Sequence, residues 1–155
     1  MMVTTTTQPM ENNIERLVPF LKVSDIERSV RYYVDGLGFV MKNSWVHEGQ
    51  LRWCWLEVGG AALMLQEFAR EGLDSWQPKG KVGEGVSLVF ICADALAVYR
   101  QALARGLQPT EPEVGNSMWV TSVSDPDGYR MEFESVTDVA EDTKLSEIEG
   151  PIPTP

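Results

Sequence analysis

The chain has 155 residues, a length that fits one domain or two small halves sharing a core. Apolar residues make up 43 % of it, ordinary for a globular protein, and no apolar run approaches the roughly 20 residues needed to cross a bilayer. With 13 basic against 23 acidic residues the net charge is −10, which argues against nucleic acid and anionic membrane as partners. It suits a cationic small molecule, or simple solubility.

The opening Met1-Met2-Val3 and its four threonines lack the basic flank and apolar core of a secretion signal, so a cytoplasmic location is expected. Residues 1–13 read as a disordered arm. Residues 16–23 read as a first strand, with one ladder bond missing at Pro19. Ser24-Asp25-Ile26-Glu27 is a capping box, Ser24 as N-cap and Glu27 at N3. It opens a helix that carries Ile26, Val30, Tyr33 and Leu37 at helical spacing, and Gly36 and Gly38 stop it. Residues 39–46, 51–58 and 61–68 follow as three strands, the last two joined by Gly59-Gly60, a two-residue hairpin signal.

Residues 69–84 form a polar, glycine-containing connector, and then the pattern restarts. Residues 86–92 read as a strand. Asp94 caps a helix with Leu96, Tyr99, Ala102 and Leu103, which Gly106 ends. A linking stretch, 110–115, has room for a short strand. Two strand-like runs, 119–124 and 129–134, then flank Asp125-Pro126-Asp127-Gly128. In that turn proline presets φ, the aspartates bond nearby backbone and glycine accepts positive φ. Each half reads β-α-β-β-β, an internal repeat of about 68 residues. The acidic tail, 137–155, ends in Gly-Pro-Ile-Pro-Thr-Pro, which continues neither a helix nor a central strand, and is loose or laid over a partner. Cys54 and Cys92 have no zinc or disulfide spacing and read as buried free thiols.

Strand alternation then sorts side chains onto faces. A two-residue turn at 59–60 sets Glu57 opposite Ala62, Trp55 opposite Met64 and Trp53 opposite Gln66. A four-residue loop at 125–128 sets Thr121 opposite Glu132 and Trp119 opposite Glu134. The candidate ligand-binding surface is Phe20, Trp53, Trp55, Met64 and Gln66 from the first half. Ser87, Trp119, Thr121, Glu132 and Glu134 join it from the second, with Val18 and Glu57 on the same side. Three indoles beside carboxylates make a platform for flat, cationic or amide-rich ligands, unless the indoles serve only packing.

Residues 18–39 (Val-Pro-Phe-Leu-Lys-Val-Ser-Asp-Ile-Glu through Tyr-Tyr-Val-Asp-Gly-Leu-Gly-Phe) and 125–133 (Asp-Pro-Asp-Gly-Tyr-Arg-Met-Glu-Phe) resemble the vicinal oxygen chelate superfamily of glyoxalases, extradiol dioxygenases and bleomycin-resistance proteins. The resemblance spans residues 14–136 and leaves out the tail. It implies an α+β fold of tandem βαβββ modules, about 14–70 and 84–136, curled around a cavity. It also implies four metal positions in the family's metalloenzymes, which fall here on Val18, Met64, Ser87 and Glu132. Of these only Glu132 is a good ligand for a hard divalent cation. The expectation is therefore a protein with no metal, no cofactor and no catalytic residue, similar to the non-catalytic bleomycin-resistance branch. Such a protein would be a homodimer that sequesters an antibiotic or an aromatic or cationic metabolite, its cavity closed by one chain's own modules or by modules exchanged with a second copy. The alternative is a lyase, isomerase or dioxygenase whose metal is held by Glu132 with His47 or Glu57 and polarises vicinal oxygens. A third reading is a structural or regulatory partner whose cavity is filled by its own side chains or tail.

Overall fold

The computed structural model describes residues 9–69, 71–72 and 75–150. Residues 1–8 of the expected arm and 151–155 of the tail lie outside the described residues; Met10–Asn12 form one turn of 3-10 helix. The first half consists of β1 (Phe20–Val23), α1 (Ile26–Arg31), β2 (Val40–His47), β3 (Gln50–Val58) and β4 (Ala61–Glu67). The second repeats it with β5 (Ser87–Ile91), α2 (Ala95–Ala104), β6 (Glu113–Gly115), β7 (Met118–Ser124) and β8 (Arg130–Val136), and adds α3 (Leu145–Glu149). Each half builds its own four-stranded sheet with equivalent strand order, β1-β4-β3-β2 and β5-β8-β7-β6. The first strand of each half runs parallel to the last, and the remaining pairs are antiparallel. The fold is α+β, two βαβββ modules.

Local chemistry explains most boundaries. Pro19 has no N–H, so β1 starts after it rather than at residue 16, although the Pro19 carbonyl still accepts from the Met64 amide at 2.9 Å. The N-cap of α1 is Asp25, not Ser24: its carboxylate accepts the Arg28 amide at 3.0 Å. The Ser24 amide is taken by Asp127 of the second module at 3.2 Å, which holds that residue outside the helix. Beyond Arg31 the helix widens into a π turn over Tyr32–Gly36, and the chain leaves through Gly38 at φ +80°. Asp94 caps α2 as expected, accepting the Ala97 amide at 3.0 Å.

The Gly59-Gly60 turn gives the register read from it: Glu57 pairs with Ala62, Trp55 with Met64 and Trp53 with Gln66. The Asp125 turn does not. Thr121 pairs with Phe133 and Trp119 with Ser135, while Glu132 pairs with Ser122 and Glu134 with Val120. The loop is one residue longer because Asp125 Oδ1 accepts the amides of Asp127, Gly128 and Tyr129 at 2.9, 2.9 and 2.8 Å, drawing Tyr129 into the turn. That slip by one exchanges the faces of β7.

One core joins the halves. Leu21, Cys54, Leu56, Leu63 and Leu65 of the first sheet, with Ile26 and Tyr33 of the helical segment, bury against Val123, Met131 and Phe133 of the second. The aromatic rings of Tyr33, Phe39, Phe90 and Phe133 follow one another across the join, with centroids 5.6, 6.2 and 5.0 Å apart. A second cluster, Ala95, Tyr99, Val114, Trp119 and Leu145, lies between α2, β7 and the tail. Through residue 150 the tail is thus not loose but packs on its own chain. The Val114 amide donates to Thr143 and the Leu145 amide to Pro112, each at 2.9 Å, and Glu149 pairs with Arg100.

Candidate functional site

Each sheet buries one face in the shared core and turns the other outward. On the first sheet the outward row holds Phe20 and Lys22 on β1, Met64 and Gln66 on β4, and Trp53, Trp55 and Glu57 on β3. Phe20 is 45 % exposed, and Trp53, Trp55, Met64 and Gln66 are half-buried. Trp45 of β2 pairs with Trp53 and is 54 % exposed, and Asn43 pairs with Trp55. On the second sheet the outward row holds Ser87, Val89 and Ile91 on β5 with Arg130, Glu132 and Glu134 on β8. Within the chain these two faces do not meet, because the sheets pack through their inner sides. The residues expected to surround one cavity therefore fall on two separate surfaces.

Two expected members leave the site altogether. Trp119 is 6 % exposed and packs with Tyr99, Val114 and Leu145, while Thr121 is 1 % exposed and donates to the Thr110 carbonyl at 2.8 Å. Ser122 and Val120 stand beside Glu132 and Glu134 in their place. The third indole of the platform is Trp45. A bulge between Met41 and Asn43 and another between Trp45 and Val46 set its register, and neither leaves a turn residue to read.

The charges are partly spent internally. Glu132 Oε1 accepts from Arg130 Nε at 3.0 Å and lies 3.0 Å from its terminal nitrogen. Glu57 Oε1 accepts the Trp55 indole N–H at 2.8 Å and lies 3.7 Å from the Arg16 guanidinium. Glu134 has no ion-pair partner among the described residues. Burial pushes the Cys54 thiol up to about 11, with a backbone hydrogen bond from Leu65 opposing it, so this sulfur is no nucleophile at neutral pH.

The metal positions implied by the resemblance offer a hydrocarbon (Val18), a thioether (Met64), a hydroxyl (Ser87) and a carboxylate already engaged by arginine (Glu132). This donor set does not fit a hard divalent cation. His47 does not mend it: exposed at the end of β2, it stacks on Trp45 with centroids 5.5 Å apart. Among the described residues no three His, Cys, Asp or Glu side chains converge.

Where the halves join, a groove of ≈ 720 Å³ runs between the β3–β4 turn and β5. Phe39, Val58, Phe90 and Phe133 make much of its wall, Arg16 stands on its lining, and of the expected binding residues only Ser87 reaches it.

Known proteins agree with this architecture. The model of the Glyoxalase/Bleomycin resistance protein/Dioxygenase superfamily matches residues 14–133. A lactoylglutathione lyase of Haemophilus influenzae is 28 % identical over 119 residues, 73 % of this chain and 86 % of that protein. The crystal structure of TioX from Micromonospora sp. ML1 superposes with a TM-score of 0.65 at 20 % identity, covering 79 % of this chain and 99 % of TioX. TnmS3, an antibiotic-binding protein from Streptomyces sp. CB03234, gives 0.58 at 21 % identity over 79 % of this chain and 98 % of its own.

Proposed function

We propose, for a chain that belongs to the glyoxalase/bleomycin resistance protein/dioxygenase superfamily, a binding function without metal chemistry. Its ligand is a flat, cation-bearing aromatic small molecule, an antibiotic or a metabolite of that shape. The observation that carries this reading is the row Trp45, Trp53 and Trp55 on the outer face of the first sheet. Indoles left outside a core offer stacking area and a π face to a cation, and Phe20, Met64 and Gln66 extend that floor. The antibiotic-binding neighbour supports the ligand class. An overall charge of −10 draws cations toward the molecule.

One sheet makes only half an enclosure. The outer face of β5 and β8 leaves Val89 49 % and Ile91 73 % exposed beside Glu134, which has no ion-pair partner among the described residues. A homodimer in which this face of a second copy covers the indoles closes the cavity and brings a carboxylate to the ligand's charge. The lyase activity of the Haemophilus influenzae relative does not extend to this chain, because the side chains at the metal positions are unsuited to it.

Tryptophan-fluorescence titration with matched libraries of aromatic cations and aromatic anions tests the reading. Cations should bind, and Trp55→Ala or Glu134→Gln should each weaken them about tenfold, the size of one good cation contact. Hits indifferent to both substitutions, or a preference for anions, would overturn it. So would one divalent metal per chain that is lost in Glu132→Ala.

A further inference from the structure

The segment leading into β1 meets the first sheet in an unusual orientation. Leu17 is 88 % and Ile14 62 % exposed, whereas the side chain of Arg16, between them, turns onto the sheet. The Arg16 guanidinium carbon lies 5.6 Å from the centre of the Trp55 ring, and a terminal nitrogen lies 3.7 Å from Glu57 Oε1. The same carboxylate oxygen accepts the Trp55 indole N–H at 2.8 Å. Ring and carboxylate are neighbours on the outer face of β3, and this bond fixes one against the other before any cation arrives.

We propose that Trp55 and Glu57 form a seat for a planar cation of the guanidinium or amidinium class, and that Arg16 is its resident, displaceable occupant. The proposal rests on the reading of this face as a ligand surface. A π face beneath and a carboxylate at the rim match a flat, delocalised cation better than a compact ammonium. Both members of the Arg16–Glu57 pair keep much of their solvent exposure, so water and salt screen the pair and it holds the arm weakly. Only three residues separate Arg16 from Phe20, the start of β1. A cation on so short a tether competes as though present at a concentration on the order of millimolar. Arg16 therefore sets a threshold: an incoming cation has to outbind it, and a weakly basic molecule does not.

Methylguanidinium is the probe, followed through the indole N–H signals in ¹H–¹⁵N NMR spectra, with the Trp55 signal assigned from Trp55→Phe. In Arg16→Ala the Trp55 signal should shift saturably at about threefold lower methylguanidinium than in the native protein. In Arg16→Ala combined with Glu57→Gln the saturable shift should vanish. The urea midpoint of Arg16→Ala should stay at the native value, which separates displacement of a cover from loss of fold. A Trp55 signal that moves at the same concentration with and without Arg16, or stays still in Arg16→Ala, overturns the proposal. If the seat fails while aromatic cations still bind through Trp55, the ligand surface stands without its cover. If methylguanidinium fills the seat while no aromatic cation binds, the seat stands and the broader reading falls.

Discussion

Of the five tryptophans, Trp119 and Trp45 show how one residue type serves opposite ends. Trp119 lies on the inner side of β7, enclosed by Ala95, Tyr99, Val114 and Leu145, and its truncation opens a large cavity. Trp45 stands more than half exposed on an edge strand, where it stacks on His47 and belongs to neither core cluster. Trp119→Ala is therefore expected to cost about 3–5 kcal/mol and Trp45→Ala under about 1 kcal/mol, read as urea midpoints by circular dichroism. Equal midpoints would mean that the β7 register is wrong and that Trp119 faces outward after all. Asp125 is the other decisive residue. It is 5 % exposed, and burial pushes its carboxyl up, opposed by the Tyr33 hydroxyl and by backbone amides.

Among the elements, the tail contributes most beyond its length. Leu145, 4 % exposed, caps the cluster around Trp119, and the Glu141 carboxylate accepts the amides of Asn116 and Ser117 at 2.9 and 2.7 Å. Leu145→Ala should destabilise the protein by about 2–5 kcal/mol and shift Trp119 emission to the red, as water reaches the indole. An unchanged emission maximum and midpoint would show that α3 merely rests on the module. The repeat, the helices α1 and α2 and the β3–β4 register were legible in the sequence, because periodicity and a two-glycine turn constrain them tightly; α3 was not. The β7–β8 register was not, since the carboxylate of Asp125 decides the loop length and a composition of turn residues does not reveal it. Trp45 was missed for a similar reason: its face depends on bulges in a strand with no glycine or proline to mark them. The distribution of the expected binding residues over two surfaces was hidden too, because strand patterns assign faces within a sheet and say nothing of how two sheets meet.

At the scale of the whole molecule, three hydrogen-bonded ties from the Asp125–Tyr129 turn help hold the modules together, beside an Arg28–Asp127 ion pair at 4.0 Å. Tyr33 donates to Asp125 Oδ2 at 2.8 Å, the Ser24 amide donates to Asp127, and the Tyr129 hydroxyl donates to the Lys22 carbonyl at 2.8 Å. All four tyrosines titrate above their ordinary value. Burial is the leading cause each time, and the charge of Asp125 adds to it at Tyr32, Tyr33 and Tyr129. Each folded value thus lies above the unfolded value near 10. The stability these phenols contribute is intact below pH 10 and is lost as pH climbs through the folded values, about 12 for Tyr32. Phenolate absorbance should therefore stay low at pH 10 and rise together with loss of the circular dichroism signal. A reversible rise centred near pH 10 in a protein still folded would contradict this.

The same turn bears on how such a molecule changes over generations. No outward-facing side chain of the indole row or of β5 takes part in the three ties; the contribution from Lys22 is its backbone carbonyl alone. Mutation can redraw the exposed side of each strand without loosening the join between the halves. Drift and selection for new ligands should then accumulate at every second position of a strand, while the intervening positions, answerable to the core, stay still.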